Sequence, residues 1–127
     1  MEILRLKSSK KIELIDITAK IVEFSAKVTG AKALLIYVPH TTAGVLINEN
    51  ADPEVQKDLE NYFAKALPDM VYQHREGNSP AHILSSIVGV SLMVPLEEGK
   101  PALGTWQGIY FAEFDGPRER KVYLTLL

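Results

Sequence analysis

The sequence predicts an α+β domain in which mainly antiparallel, sandwich-like β-sheets are covered on the outside by two or three helices. Predicted strands outnumber predicted helices, and the helices interrupt the strands at irregular intervals. The chain has 127 residues, which fits one domain spanning residues 1–127. Its 46% hydrophobic and 24% charged residues are typical of a folded domain with a sizeable core.

The first third of the chain predicts a hairpin, a helix and two buried strands. Short alternating patterns at residues 3–6 and 11–15 surround a polar turn and predict the hairpin. Apolar residues recur with helical spacing from Ile17 to Val28, which predicts an amphipathic helix that Gly30 ends. Two segments that are apolar on both faces, residues 33–38 and 44–47, predict central strands.

Two further helices are predicted from their start signals. Asp52 is placed to cap a helix whose first residue is Pro53, and Pro68 ends that helix. Ser79 repeats the signal ahead of a short helix that ends near residue 89 and buries Ile87.

The remaining apolar segments predict strands. Residues 70–73 predict a short strand before His74. Residues 90–94, 104–114 and 122–127 are separated by strong turn clusters and predict an antiparallel meander.

Composition argues against several classes of function. A formal net charge of −2 and a pI of about 5.9 argue against a nucleic-acid partner. No apolar run approaches the roughly 20 residues of a membrane-spanning helix, and residues 1–5 carry no signal-peptide pattern, so we expect a cytoplasmic protein without a membrane partner. The chain has no cysteine, so a metal must take nitrogen and oxygen ligands.

Three histidines are the candidate metal ligands. His40 follows a buried strand, His74 lies in a polar loop, and His82 lies in the first turn of a predicted helix. If the three imidazoles converge, they can hold a divalent metal, zinc before others, and leave a fourth position for water or substrate. The alternative interpretation is that each histidine caps a backbone group or pairs with a carboxylate.

Two loops are candidate phosphate sites. One combines a cation, a glycine and a helix start, where backbone N–H groups attract anions: Arg75, Gly77, Asn78 and Ser79. The other offers the hydroxyl groups of Thr41 and Thr42 beside His40. The alternatives are a polar loop in which Ser79 is the N-cap and an ordinary connection between strands.

Three other features have both a functional and a structural interpretation. Glu49, at the end of a buried strand, is a candidate general base or a residue that orients a histidine, and alternatively a solvated turn residue. Trp106 and Gln107 lie in a predicted strand between glycines that allow close approach of a ligand, although core or interface packing is the alternative for Trp106. The charged residues around the last turn predict a solvated network: Glu113, Asp115, Arg118 and Arg120.

Four segments together resemble the YjbQ-like family, also labelled secondary thiamine-phosphate synthase. They are residues 40–44 (HTTAG), 48–53 (NENADP), 74–82 (HREGNSPAH) and 104–110 (GTWQGIY). The resemblance covers essentially the whole chain. It implies a small α+β domain that forms a homotrimer, with a ligand pocket near a subunit interface and with His40, His74 and His82 clustered at a metal.

The resemblance also implies an activity that joins hydroxymethylpyrimidine diphosphate to thiazole phosphate. In that reaction a metal, Arg75 and the helix-start amides would steady the departing diphosphate, and Glu49 or an imidazole would orient the partner. Magnesium would serve such a transferase, whereas three histidines favour zinc. The alternatives are a zinc-type hydrolase of a phosphorylated metabolite, with Glu49 as the base, and a non-enzymatic trimeric protein that binds a metabolite.

Overall fold

The fold is α+β, with two antiparallel sheets and three helices, as predicted. The computed structural model describes residues 1–127. The larger sheet has the strand order β1-β8-β3-β5-β6, and the smaller has the order β2-β7-β4. The strands are β1 (Glu2–Lys7), β2 (Glu13–Asp16), β3 (Ala33–Tyr37), β4 (Ala43–Glu49), β5 (Ser91–Glu97), β6 (Lys100–Pro101), β7 (Gln107–Glu113) and β8 (Glu119–Leu126). The helices are α1 (Thr18–Ser25), α2 (Pro53–Lys65) and α3 (Ser79–Val88).

Two hydrophobic cores lie on the two faces of the small sheet. Ile109 and Phe111 of β7 pack between the sheets together with Leu34 and Ile36 of β3 and with α1. The alternate residues of β7 face the other way, beneath α2 and α3. Because successive side chains of a strand point to opposite faces, the apolar run of residues 109–112 in β7 fits a strand that is covered on both sides.

The two predicted strand pairings near the chain ends are wrong. Residues 3–6 and 11–15 do not form a hairpin, because β1 pairs with β8 in the large sheet and β2 pairs with β7 in the small one. The C-terminal strands do not form a meander either. β5 pairs with β3, β7 lies between β2 and β4, and β8 lies between β1 and β3.

Several element predictions also differ from the structure. The first helix ends at Ser25 rather than before Gly30, which leaves Val28 53% exposed. Residues 70–73 form no strand. Ile87 is 69% exposed because it lies on the solvent side of α3.

The start of α2 is confirmed. The Asp52 carboxylate accepts a hydrogen bond from the Glu54 amide at 2.9 Å, and Pro53 opens the helix. None of the three helices combines the length and the apolar composition that a membrane-crossing helix needs.

Candidate functional site

A cleft of about 1130 Å³ opens where the end of β3, the start of α3 and the start of β8 meet. We call it the histidine cleft, because His40, His74 and His82, the three histidines of the chain, all line it. The other polar residues on its walls include Thr41, Thr42, Glu76, Asn78, Arg118 and Arg120. The structure therefore brings together residues that lie far apart in the sequence.

His40 is fixed by a backbone hydrogen bond. Its Nε2 accepts from the Lys121 amide of β8 at 2.9 Å. β3 pairs with β8 only as far as Tyr37, which is opposite Tyr123. The Lys121 amide lies beyond the end of this pairing, so it donates to the imidazole instead of to a β3 carbonyl. Since a neutral imidazole has one donor and one acceptor nitrogen, its proton is then on Nδ1.

The His40 imidazole is neutral at pH 7. Burial lowers its pKa below the ordinary value of 6.5, and the Arg120 guanidinium lowers it further. The Glu113 carboxylate acts in the opposite direction but does not outweigh these two effects.

His74 and His82 form a pair of rings. The His74 carbonyl accepts from the Gly77 amide at 3.3 Å, and this turn leads into α3, which carries His82. The two ring centres are 5.3 Å apart, with the planes inclined at 85°. The His74 Nε2 also lies 3.9 Å from a carboxylate oxygen of Glu76.

The ring pair fits two ligands of a single ion. A tetrahedral ion that binds two imidazole nitrogens at about 2.0–2.1 Å places the ring centres roughly 5 Å apart. His40 lines the same cleft, but its Nε2 lone pair is taken by the Lys121 amide. No group of three histidine, aspartate or glutamate side chains is close enough together to hold a metal ion. The predicted three-histidine site is therefore not assembled in this conformation.

The walls of the histidine cleft carry hydrogen-bond donors for an anion. Two arginines, Arg118 and Arg120, line it, although no pattern in the sequence placed them there. Arg118 is held by its Nε and Nη2 atoms, which donate to the carbonyl and the carboxylate of Asp115 at 2.8 and 2.9 Å. Thr41 and Thr42, predicted as ligand residues, lie on the same walls.

Asn78 supplies an unpaired acceptor at the start of α3. It is the N-cap residue in place of the predicted Ser79, but its side chain caps no backbone amide. Its Nδ2 donates to the Asp115 carboxylate at 2.9 Å, and its Oδ1 is buried without a partner. A ligand donor or a water molecule can satisfy this oxygen.

The predicted solvated charge network is wrong for its two central members. Glu113 is fully buried and Arg120 is only 5% exposed, and they form an ion pair through two hydrogen bonds. Burial would raise the pKa of Glu113, but hydrogen bonds from Arg120, Ser8 and the Asp115 amide lower it below its ordinary value of 4.5. The alternation of residues along β7 already indicates that Glu113 is buried, since Glu113 follows Ile109 and Phe111 on the inner face of the strand.

Three of the predicted phosphate-site residues do not line the histidine cleft. Arg75 is at the exposed corner of the turn before α3. Gly77, with a φ of 76°, lies in that turn and lines a separate small cavity. Ser79 is the first residue of α3 and does not reach the cleft.

Glu49, Trp106 and Gln107 are at the opposite end of the small sheet from the histidines. β4 has seven residues, Ala43–Glu49, so at about 3.3 Å per residue its two ends are roughly 20 Å apart. Glu49 therefore cannot accept a proton in the histidine cleft of its own chain. Trp106 precedes β7 instead of lying within it, and it is 63% exposed.

The comparison with known families matches nearly the whole chain. The model described as "UPF0047 protein YjbQ-like" matches residues 2–127. The chain belongs to this family. It is 51% identical over 126 residues to UPF0047 protein MJ1081 of Methanocaldococcus jannaschii, covering 97% of this chain and 91% of that protein. It is 49% identical over 131 residues to UPF0047 protein YugU of Bacillus subtilis, covering 100% and 98%.

Solved structures of the YjbQ-like family have the same fold. A crystal structure of a YjbQ/UPF0047 protein from Clostridium acetobutylicum superposes with a TM-score of 0.93 at 45% identity, covering 100% of both chains. A conserved hypothetical protein from Thermus thermophilus, TT1486, superposes with a TM-score of 0.89 at 37% identity, also covering 100% of both. These relatives establish the family and the fold and name no reaction.

Proposed function

We propose that this protein is a metal-dependent enzyme that acts on a small phosphorylated metabolite in the histidine cleft. The observation that carries the proposal is the ring pair of His74 and His82, 5.3 Å apart, in a cleft that two arginines also line. Nitrogen ligands of this kind suit zinc or a related transition metal. Cationic arginines suit a phosphate group, which they bind through fixed N–H donors.

His74 and His82 would hold the metal, with His40 as the third ligand. His40 can bind it through Nε2 only after that atom leaves the Lys121 amide. A bound divalent ion would act as a Lewis acid toward a phosphoryl oxygen or a bound water. Metal binding should therefore change the environment of the Lys121 amide, which is observable as an NMR shift.

The walls of the cleft would bind and orient the phosphate group. Arg118 and Arg120 are held at fixed positions by Asp115 and Glu113, so little side-chain freedom is lost when an anion binds. The hydroxyl groups of Thr41 and Thr42 add neutral donors beside them. Such preorganised donors stabilise negative charge that develops on a leaving phosphate or diphosphate.

The histidine cleft has room for two small substrates, as a transfer reaction requires. At about 1130 Å³ it is larger than the roughly 300–1,000 Å³ that holds one drug-sized ligand. The specific reaction we propose is that of a thiamine-phosphate synthase. The thiazole nitrogen attacks the methylene carbon of the pyrimidine, the C–N bond forms, and the C–O bond to diphosphate breaks with release of diphosphate.

Product analysis separates the three candidate functions. Zinc- or magnesium-loaded protein is incubated with hydroxymethylpyrimidine diphosphate and thiazole phosphate. The transferase predicts thiamine phosphate and diphosphate in equal amounts. Release of inorganic phosphate from either compound alone would indicate a hydrolase instead. Tight binding of a metabolite without turnover of any phosphorylated compound would indicate a binding protein.

Metal content tests the ligand set. We expect close to one transition metal per chain in the wild type, and its loss in His40→Ala, His74→Ala and His82→Ala. Arg75→Ala is the matched control, because Arg75 follows His74 but does not line the cleft, and it should keep the metal. Full occupancy in any histidine variant would remove that histidine from the proposed set.

We further propose that the chain assembles as a homotrimer. In support, the outer face of the large sheet is not covered by a helix, and Ile3, Tyr37 and Met93 are exposed on it. In such an assembly Glu49, Trp106 and Gln107 would reach a histidine cleft only from a neighbouring chain. The mass in solution tests this proposal, since a trimer has three times the 14.1 kDa of one chain.

A further inference from the structure

Asp115, in the turn between β7 and β8, connects two segments of the histidine cleft without lining the cleft itself. One of its carboxylate oxygens, Oδ2, accepts from Arg118 Nη2 and from Asn78 Nδ2, each at 2.9 Å. Its backbone carbonyl also accepts from Arg118 Nε at 2.8 Å. A single residue therefore holds an arginine of the cleft and the residue at which α3 starts.

These contacts fix an arginine that is otherwise half exposed. The side chain of Arg118 is 50% exposed, whereas that of Asp115 is 17% exposed. A long exposed side chain ordinarily moves among many rotamers, but two hydrogen bonds to one residue set the plane of this guanidinium. Since a guanidinium has five N–H donors, three of them are left for a ligand in the cleft.

The Asp115 carboxylate is charged at pH 7. Burial would raise its pKa, but hydrogen bonds from Asn78 and Arg118 lower the pKa below the ordinary value of 3.8. Hydrogen bonds to an ionised acceptor are stronger than those between neutral groups. Both contacts of Oδ2 are therefore of the stronger kind.

The side chain of Asn78 is turned toward Asp115 instead of capping α3. An N-cap asparagine ordinarily accepts from the amide of the second or third helical residue, and here the second is Pro80, which has no N–H. Asn78 Oδ1 is left buried without a partner. An unpaired buried oxygen lowers stability, so the contact with Asp115 is kept at the expense of local stability, as is typical of functional sites.

Asn78 also connects Asp115 to a candidate metal ligand. The Asn78 carbonyl accepts from the amide of His82 at 3.4 Å, in the first turn of α3. The chain of contacts therefore runs from Arg118 through Asp115 and Asn78 to the backbone of His82.

We propose that Asp115 is a positioning residue that holds Arg118 against the start of α3, so that a bound phosphate keeps a fixed position relative to His82. This inference rests on the proposed function, in which Arg118 binds the phosphate and His82 holds the metal. It adds that a negative charge beside the anion site strengthens anion binding. The reason is that, without Asp115, the phosphate itself would have to order the Arg118 side chain.

The first test compares the phosphate affinity of Asp115→Ala with that of the wild type. Isotope-labelled protein is titrated with inorganic phosphate at constant ionic strength, and NMR follows the amides of Thr41 and Thr42 in the cleft. Removal of a negative charge would by itself strengthen phosphate binding. We expect the opposite, a weakening of about two- to tenfold. The matched control Asp58→Ala makes the same change of charge on the exposed surface of α2 and should bind phosphate as the wild type does.

A double-mutant cycle separates positioning from a merely structural role. Arg118→Ala alone should weaken phosphate binding roughly tenfold or more, because it removes a charged donor. Adding Asp115→Ala to Arg118→Ala should cause no further weakening, since the side chain that Asp115 positions is then absent. A merely structural role would weaken binding equally in both backgrounds.

The Nε–H signal of Arg118 gives a second measurement, made on the wild type, which does not depend on the folding of a variant. This proton is donated to the Asp115 carbonyl and should exchange with solvent at least tenfold more slowly than the Nε–H protons of Arg5 and Arg75, which are exposed. Exchange at the same rate as in these two arginines would overturn the positioning role.

Two outcomes of the titrations would also overturn it: phosphate binding in Asp115→Ala that is unchanged or tighter, and equal weakening by Asp115→Ala with and without Arg118. An unchanged affinity in Arg118→Ala alone would refute the phosphate site of the proposed function as well. The metal content of the same samples is measured separately. A wild-type protein without metal would refute the metal site of the proposed function and leave the phosphate comparison valid.

Discussion

Replacing Glu113 by glutamine should lower the free energy of unfolding by about 3–5 kcal/mol. Glu113 is fully buried, and its two carboxylate oxygens accept four hydrogen bonds. One oxygen accepts from the Ser8 hydroxyl at 2.6 Å and from Arg120 Nε at 2.9 Å. The other accepts from the Asp115 amide at 3.0 Å and from Arg120 Nη2.

The magnitude follows from these four contacts. Glutamine keeps the shape of the side chain but converts one oxygen into an NH₂ donor. In either orientation of the amide, two hydrogen bonds to a charged acceptor are lost, at about 1.5–3 kcal/mol each. The Arg120 guanidinium also loses its counter-charge in the protein interior. Removal of one partner of a buried ion pair costs about 3–5 kcal/mol in other proteins, in agreement with this sum.

Urea unfolding followed by circular dichroism measures the effect. Glu119→Gln is the matched control, because Glu119 is exposed on β8, next to Arg120, and its replacement should change stability by less than about 0.5 kcal/mol. Glu113→Leu combined with Arg120→Met should recover part of the loss, since an apolar pair leaves no unpaired charge but the Ser8 hydroxyl and the Asp115 amide still lose their acceptor. A loss of less than about 1 kcal/mol in Glu113→Gln would refute the assigned role of the carboxylate.

Three further predictions concern packing, capping and pH. Gly44→Ala should lower the free energy of unfolding in urea by about 1–3 kcal/mol, because the new Cβ would lie 2.6 Å from the backbone oxygen of Gly89. Unchanged stability would contradict this prediction. Asp52→Ala should cost about 0.5–2 kcal/mol by the same measurement, through loss of the α2 cap, whereas Asp52→Asn should cost less. The folded-state pKa values of Glu113 and Asp115 are lowered, so their stabilisation is present above their ordinary values of 4.5 and 3.8. It is lost as the pH falls through the folded-state values. In thermal unfolding across pH 3–7, the melting temperature of the wild type should fall at low pH, and that of Glu113→Gln should fall less.

Local signals in the sequence predicted local structure well. The start of α2 was predicted correctly because Asp52 and Pro53 act on neighbouring backbone groups. The strands β3 and β4 were predicted from their apolar sequences, although only β4 is covered on both faces, since β3 exposes Tyr37 on its outer face. The turn before β8 was also predicted from its glycine and proline.

Strand partners could not be predicted, because pairing depends on residues far away in the chain. β1 alternates in a way that suits any antiparallel neighbour, and it pairs with β8, more than 100 residues later. The same limit applies to the candidate site. His40 was expected among ligands, but its hydrogen bond to Lys121 requires β3 and β8 to be adjacent in one sheet.

The buried ion pair was missed although the sequence carries a signal for it. Glu113 is in phase with Ile109 and Phe111 along β7, and Arg120 is in phase with Val122 and Leu124 along β8. Strand alternation alone would have placed both charges on inner faces. Their position beside a turn favoured the interpretation of a solvated network, and only the packing of the two sheets shows that the charges meet.

Anomalous X-ray scattering from crystals of protein purified without added chelator tests the central claim most directly. Data collected on both sides of the zinc absorption edge locate a bound zinc ion without assumptions about its ligands. We predict a single peak per chain between the rings of His74 and His82, within about 2.0–2.1 Å of one nitrogen of each. No peak at that position in crystals soaked with zinc, or a peak that persists there in His74→Ala, would contradict the proposed metal site.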